Sequence, residues 1–127
     1  MGYNLHITRG DWLSDHAGKL SFEEWLSLAA KDPELIPDGK AAVEAKNRAI
    51  RNLDTSELRS KTAYFIWGHD AYTFYHFNNS VYVKGAATNL DVLRKMLQIA
   101  EQLGARVQGD EGEYYQIKND NIIVEFD

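Results

Sequence analysis

The chain contains no cysteine at all, which excludes disulfides, thiolate metal sites and a cysteine nucleophile. Proline is nearly absent too, with two residues in 127, and no low-complexity tract or internal repeat is visible, so linkers have no support. No run approaches roughly 18 apolar residues, and Met1-Gly2-Tyr3-Asn4-Leu5-His6 passes directly into alternation rather than into a basic start and apolar stretch. The expectation is one globular domain, with no membrane segment and a cytoplasmic location. A glycine-rich phosphate loop, a G-x-S-x-G elbow and a dinucleotide fingerprint are likewise missing, which removes the motif basis for nucleotide-dependent and triad chemistry.

What is present is acid, unevenly placed. From Asp110 to Asp127 six carboxylates (Asp110, Glu111, Glu113, Asp120, Glu125, Asp127) face one Lys118, and this excess equals the net charge of −5 of the whole chain. Tyr114, Tyr115, Ile117, Ile122, Ile123, Val124 and Phe126 are interleaved with the acids, so the segment reads as strands displaying charge rather than as a disordered tail. Such a surface repels nucleic acid and attracts a basic partner. Asp11 to Asp38 carries an equal acid excess, and Gly39 to Gly109 a basic one.

Periodicity gives the elements. Tyr3 to Thr8 alternates as a half-buried strand, with Tyr3, Leu5 and Ile7 on one face and Asn4, His6 and Thr8 on the other. Ser21 and Glu24 form a capping box ahead of a Phe22/Trp25/Leu26/Ala29 stripe, and Asp32-Pro33 ends that helix. Lys40 to Leu53 has helical composition with a thin apolar stripe. Three strands follow at Thr62 to Trp67, Tyr72 to Phe77 and Val81 to Lys84, the last two joined by Asn78-Asn79-Ser80. A helix runs from Asn89 to Leu103, capped by Thr88 or Asn89 and stopped by Gly104. Short strands at Ala105 to Gln108, Glu113 to Ile117 and Ile122 to Phe126 close the chain, separated by turn-forming tetrapeptides. The predicted class is α+β, a mostly antiparallel sheet with two or three helices packed on one side.

Chemistry-bearing clusters are few. His69-Asp70 between two aromatic strands, with His76 in the second, are the right groups for metal or acid–base work, but their spacing matches no ligand frame and Gly68-His69-Asp70-Ala71 is ordinary turn composition. Glu23-Glu24, Asp110-Glu111 and Glu111/Glu113 are expected to be solvated, without the apolar setting that makes a catalytic carboxyl. Asp32, Glu34 and Asp38 lack the spacing of a calcium loop. No catalytic residue, metal site or cofactor is assigned. The aromatic strands place Phe65 with Trp67, and Tyr72 with Phe74 and His76, leaving Tyr75 and Phe77 opposite: core on one side, and on the other either cross-strand pairs or a recognition face.

Both ends of the chain carry a resemblance. Gly2-Tyr3-Asn4-Leu5-His6-Ile7-Thr8-Arg9 with Asp11-Trp12, then Ser21-Phe22-Glu23-Glu24-Trp25-Leu26 and Asp32-Pro33-Glu34-Leu35, resembles the opening of small bacterial proteins, and Ile99 to Gln108 followed by Gly109-Asp110-Glu111-Gly112-Glu113 resembles their closing segment. These proteins are similar to members of toxin–immunity systems, including immunity proteins of contact-dependent growth inhibition. The resemblance implies a non-enzymatic, monomeric immunity protein that blocks a cognate toxin, with a basic nuclease domain the partner that its acid suits best. The candidate partner-binding residues are Asp110, Glu111, Glu113 and Tyr114, then Trp67, His69 and Asp70. The alternative is a small enzyme or ligand-binding protein with a pocket between the aromatic strands and the helices, using His69, Asp70 and His76.

Overall fold

A computed structural model describes residues 3–10, 20–49, 63–68, 71–77, 79–85 and 89–125. Eight strands and three helices follow in the order β1 (Asn4–Thr8), α1 (Phe22–Lys31), β2 (Ile36–Asp38), α2 (Lys40–Ala49), β3 (Tyr64–Trp67), β4 (Tyr72–Phe77), β5 (Ser80–Lys84), α3 (Leu90–Leu103), β6 (Arg106–Gly109), β7 (Tyr114–Lys118) and β8 (Asn121–Glu125). All strands join one antiparallel sheet, ordered β2-β3-β4-β5-β1-β6-β7-β8, so the N-terminal strand lies at its centre and ties the two meanders together. The α+β class expected from the pattern is therefore the observed one, and the closing strands extend the first sheet rather than forming a second.

Local chemistry explains the helix ends. Ser21 accepts from the Glu24 backbone N–H at 3.1 Å while Glu24 reaches back to the Ser21 N–H, and the reciprocal bonds satisfy donors that the first turn leaves unpaired. Asn89, not Thr88, caps α3, accepting from Asp91 and Val92, and Gly104 closes it in the left-handed conformation that favours glycine, with φ 63°.

One sheet face carries the core. Leu5, Ile7, Phe65, Phe74, Val81, Val83 and Val107 share that face and are buried beneath the helices. Trp25 of α1 stacks on Phe74 with ring centroids 6.2 Å apart and meets Phe65 edge-on at 5.8 Å, so three buried aromatics join α1 to the sheet. The opposite face bears a cross-strand row, Tyr64, Tyr75, Tyr82 and His6, whose successive centroids are 5.3, 5.2 and 6.3 Å apart.

Strand β2 is the element that the periodicity did not predict. Its three residues pair with β3 at the sheet edge, where Pro37 can sit because an edge strand needs no donor on its open side. The expected helix from Lys40 is described to Ala49, and residues 50–53 lie outside the described residues.

Candidate functional site

The turn between β6 and β7 holds Asp110, Glu111 and Glu113, Tyr114 opens β7 directly after it, and the turn is tied to the first strand of the protein. Asp110 accepts from the Asn4 backbone N–H at 2.8 Å through Oδ2 and from His6 Nε2 at 2.9 Å through Oδ1. Glu113 is buried at 5% exposure: the Tyr3 hydroxyl donates to its Oε2, Tyr115 donates to the same oxygen at 2.8 Å, and the Glu111 N–H donates to Oε1 at 3.2 Å. Gly109 is required beneath this arrangement because a Cβ there would run into the Glu113 carboxylate. Tyr114 is also buried, under the Arg106 guanidinium, which lies 3.5 Å from its ring centroid. Only Glu111 of the four is exposed, so Glu113 departs from the expectation that solvent would hold it.

Burial acts against the charge of Glu113, but the hydrogen bonds from Tyr3, Tyr115 and backbone N–H groups outweigh it and hold its pKa below the usual carboxylate range. The same burial, with the carboxylate as acceptor, pushes the Tyr3 hydroxyl up to about 12 and raises Tyr115 as well. Burial also lowers the pKa of His6, against the pull of Asp110, so the neutral imidazole donates its Nε2–H to that carboxylate.

These shifts share a sign at acid pH. His6 and Glu113 both bind protons more readily unfolded than folded, so stability falls as pH drops through the ordinary histidine value of about 6.5 and again through the carboxylate range. Urea midpoints measured between about pH 8 and pH 5 are expected to decline, and His6→Gln is expected to remove the first step of that decline.

The second group of candidates lies at the other meander. Trp67 and Tyr72 face each other across β3 and β4, and with Asn89, Asp91, Glu34 and Lys95 they line a cavity of about 760 Å³ against the start of α3. The Asn89 amide donates to the Tyr72 hydroxyl at 3.2 Å. Lys95 is 3% exposed and donates to Asp32 at 2.8 Å and to Glu34 at 2.7 Å, so its charge is committed within the fold. His69 and Asp70 lie outside the described residues, between Gly68 and Ala71. His76 does not reach this cavity: it sits toward the other end of β4, with Nε2 2.6 Å from the Leu20 carbonyl, to which it donates.

Strand direction brings the two groups into relation. The registers place Trp67, Tyr72, Lys84, Asn4, Gly109 and Tyr114 at one end of the sheet. The β3–β4 and β6–β7 turns therefore open on the same end, four strand spacings or about 19 Å apart along the sheet. Sheet twist rotates one turn relative to the other, and a partner touching both would meet a saddle rather than a plane. The residues that sequence reading missed here are Tyr3, His6 and Tyr115, which fix the acids. Their signal was present in the alternation, since Tyr3 and Tyr115 share the inward parity of Leu5 and Ile117.

Among the described residues no group of three His, Cys, Asp or Glu side chains is placed to hold a metal ion, and no helix is long and apolar enough to cross a membrane. Compared with protein-family models, curated proteins and solved structures, the chain matches none of them.

Proposed function

We propose that this is a non-enzymatic immunity protein that binds and blocks a bacterial toxin domain, a basic nuclease being the class of partner its charge suits. The observation that carries the reading is the shared strand end: an acidic turn with exposed Glu111 and a rigidly held Asp110 stands within about 19 Å of a cavity walled by Trp67 and Tyr72. A partner that contributes the roughly 800 Å² of a standard interface covers a disc about 32 Å across, wide enough to reach both features. Fixed carboxylates substitute for phosphates better than mobile ones because their ordering cost is met by folding, and aromatic side chains are favoured anchors. The resemblance of both chain ends to toxin–immunity proteins points the same way, and the cytoplasm is where such a partner would be met.

Co-expression with the product of the adjacent upstream gene tests the proposal. Rescue of growth and co-purification as a complex are the expected results; continued toxicity with no complex would contradict it. A second reading, a ligand-binding protein, is favoured by the cavity alone, and it predicts a small molecule retained through purification and visible by native mass spectrometry.

A further inference from the structure

The sheet has two edges, and they are not equivalent. At one, β2 presents Pro37, which lacks an N–H and blunts further pairing. At the other, β8 pairs only with β7 among the described residues, and it carries Ile122 and Val124 on the helix-bearing side at 40% and 47% exposure. Nothing in its sequence from Asn121 to Val124 is charged.

The hairpin that precedes it fixes which backbone groups are free. Asn119 and Asp120 have φ 52° and 65°, a two-residue turn of the I′ type in which Lys118 and Asn121 are hydrogen-bonded partners. Asn121, Ile123 and Glu125 thus direct their N–H and C=O groups toward β7, and Ile122 and Val124 direct theirs outward.

We infer that β8 is a self-pairing edge, joining a second copy of this chain antiparallel about a two-fold axis at Ile123. The sequence Asn121-Ile122-Ile123-Val124-Glu125 reads as its own complement in that register. Ile122 of each copy meets Val124 of the other, and these are the residues whose outward groups are free, so four inter-strand hydrogen bonds form. Ile123 meets its own equivalent as a pair without hydrogen bonds. Asn121 faces the other copy's Glu125 rather than another acid, and Lys118, one strand behind Asn121, stands on the same face within reach of that carboxylate. An isologous contact of this kind closes on itself, leaving no further edge except the blunted β2. It replaces the monomer expected from the sequence but is compatible with the docking surface: the two-fold points the two β6–β7 turns in opposite directions and leaves each copy its own strand end.

The absence of native cysteine makes the register directly testable. A pair without hydrogen bonds brings Cα atoms to about 4.5 Å, inside the range that a disulfide spans. Under oxidised glutathione, Ile123→Cys is expected to give a covalent dimer in high yield, while Glu101→Cys, exposed on α3 rather than on the edge strand, is not. Light scattering on the unaltered protein is expected to rise from one 14.5 kDa chain toward two across the micromolar range, and Val124→Lys to abolish the rise while far-ultraviolet circular dichroism stays unchanged. A single chain mass throughout that range, or crosslinking of Ile123→Cys no faster than of Glu101→Cys, overturns the inference. Should Ile123→Cys fail to fold, the mass of the unaltered chain decides.

Discussion

Glu113→Ala is expected to lower the unfolding free energy by about 3 kcal/mol, while Glu111→Lys, two positions away, leaves it within about 0.5 kcal/mol. The difference comes from what each carboxylate touches. Glu113 accepts from two tyrosine hydroxyls and a backbone N–H in a site closed to solvent. Its removal strands those donors and leaves space beneath the turn; hydrogen bonds to a charged acceptor are worth about 1.5–3 kcal/mol each before relaxation returns part of the loss. Gly109→Ala is expected to act in the same direction by displacing the carboxylate from below. Glu111 offers its backbone N–H to this network and its side chain to solvent, so reversing its charge touches no packed group. Urea denaturation followed by tryptophan fluorescence measures both variants. A Glu113→Ala protein as stable as the parent would mean that the carboxylate is not held as described. The contrast also governs how binding is probed: reversing Asp110, Glu111 and Glu113 together would damage the fold as well as the surface, and only Glu111 reports on the surface alone.

Lys95→Ala is expected to cost about 3–5 kcal/mol, and the double change Lys95→Met with Asp32→Asn to recover most of it. Lys95 lies among the buried residues of α3, where a cation is tolerated only because Asp32 and Glu34 accept from its ammonium group. Asp32 also caps α1, and Lys46 of α2 donates to its carbonyl at 2.5 Å and to that of Leu35 at 3.2 Å. The link between α1 and β2 is thereby held to both other helices through two lysines. Removing Lys95 alone takes the directly bonded cation from a nearly enclosed carboxylate and leaves only Lys46, held on the Asp32 carbonyl, nearby; Glu34 is exposed and its share is small. Replacing both charges removes the desolvation cost from each side. Equal losses in the single and double variants would contradict the coupling.

The elements that the sequence discloses are those specified locally. The capping box at Ser21 and Glu24, the Asn89 and Gly104 ends of α3, and the alternation of β1 are decided within a few residues, and the structure has them where periodicity and caps place them. Strand β2 was illegible because three residues containing a proline have no period, and only pairing with β3, some thirty residues later, makes them a strand. The acidic turn failed for the same reason. Gly109 to Gly112 reads as solvated turn chemistry, yet the partners of Asp110 and Glu113 are Asn4, His6 and Tyr3, more than a hundred residues distant in the chain. What could be read was parity: Glu113 precedes Tyr115 and Ile117 at intervals of two, which puts it on the inward face. Charge count alone pointed outward.

The most direct test of the docking surface is the association rate of the complex recovered by co-expression, compared between Glu111→Lys and Glu101→Lys. Both reverse one exposed carboxylate, the first at the strand end proposed to dock and the second near the C-terminal end of α3. Complementary charge acts chiefly on encounter, so Glu111→Lys should slow association about tenfold at low salt, with the effect shrinking as salt rises, while Glu101→Lys changes it little. Equal slowing by the two, or slowing by Glu101→Lys alone, would contradict the assignment of this strand end as the surface that meets the partner.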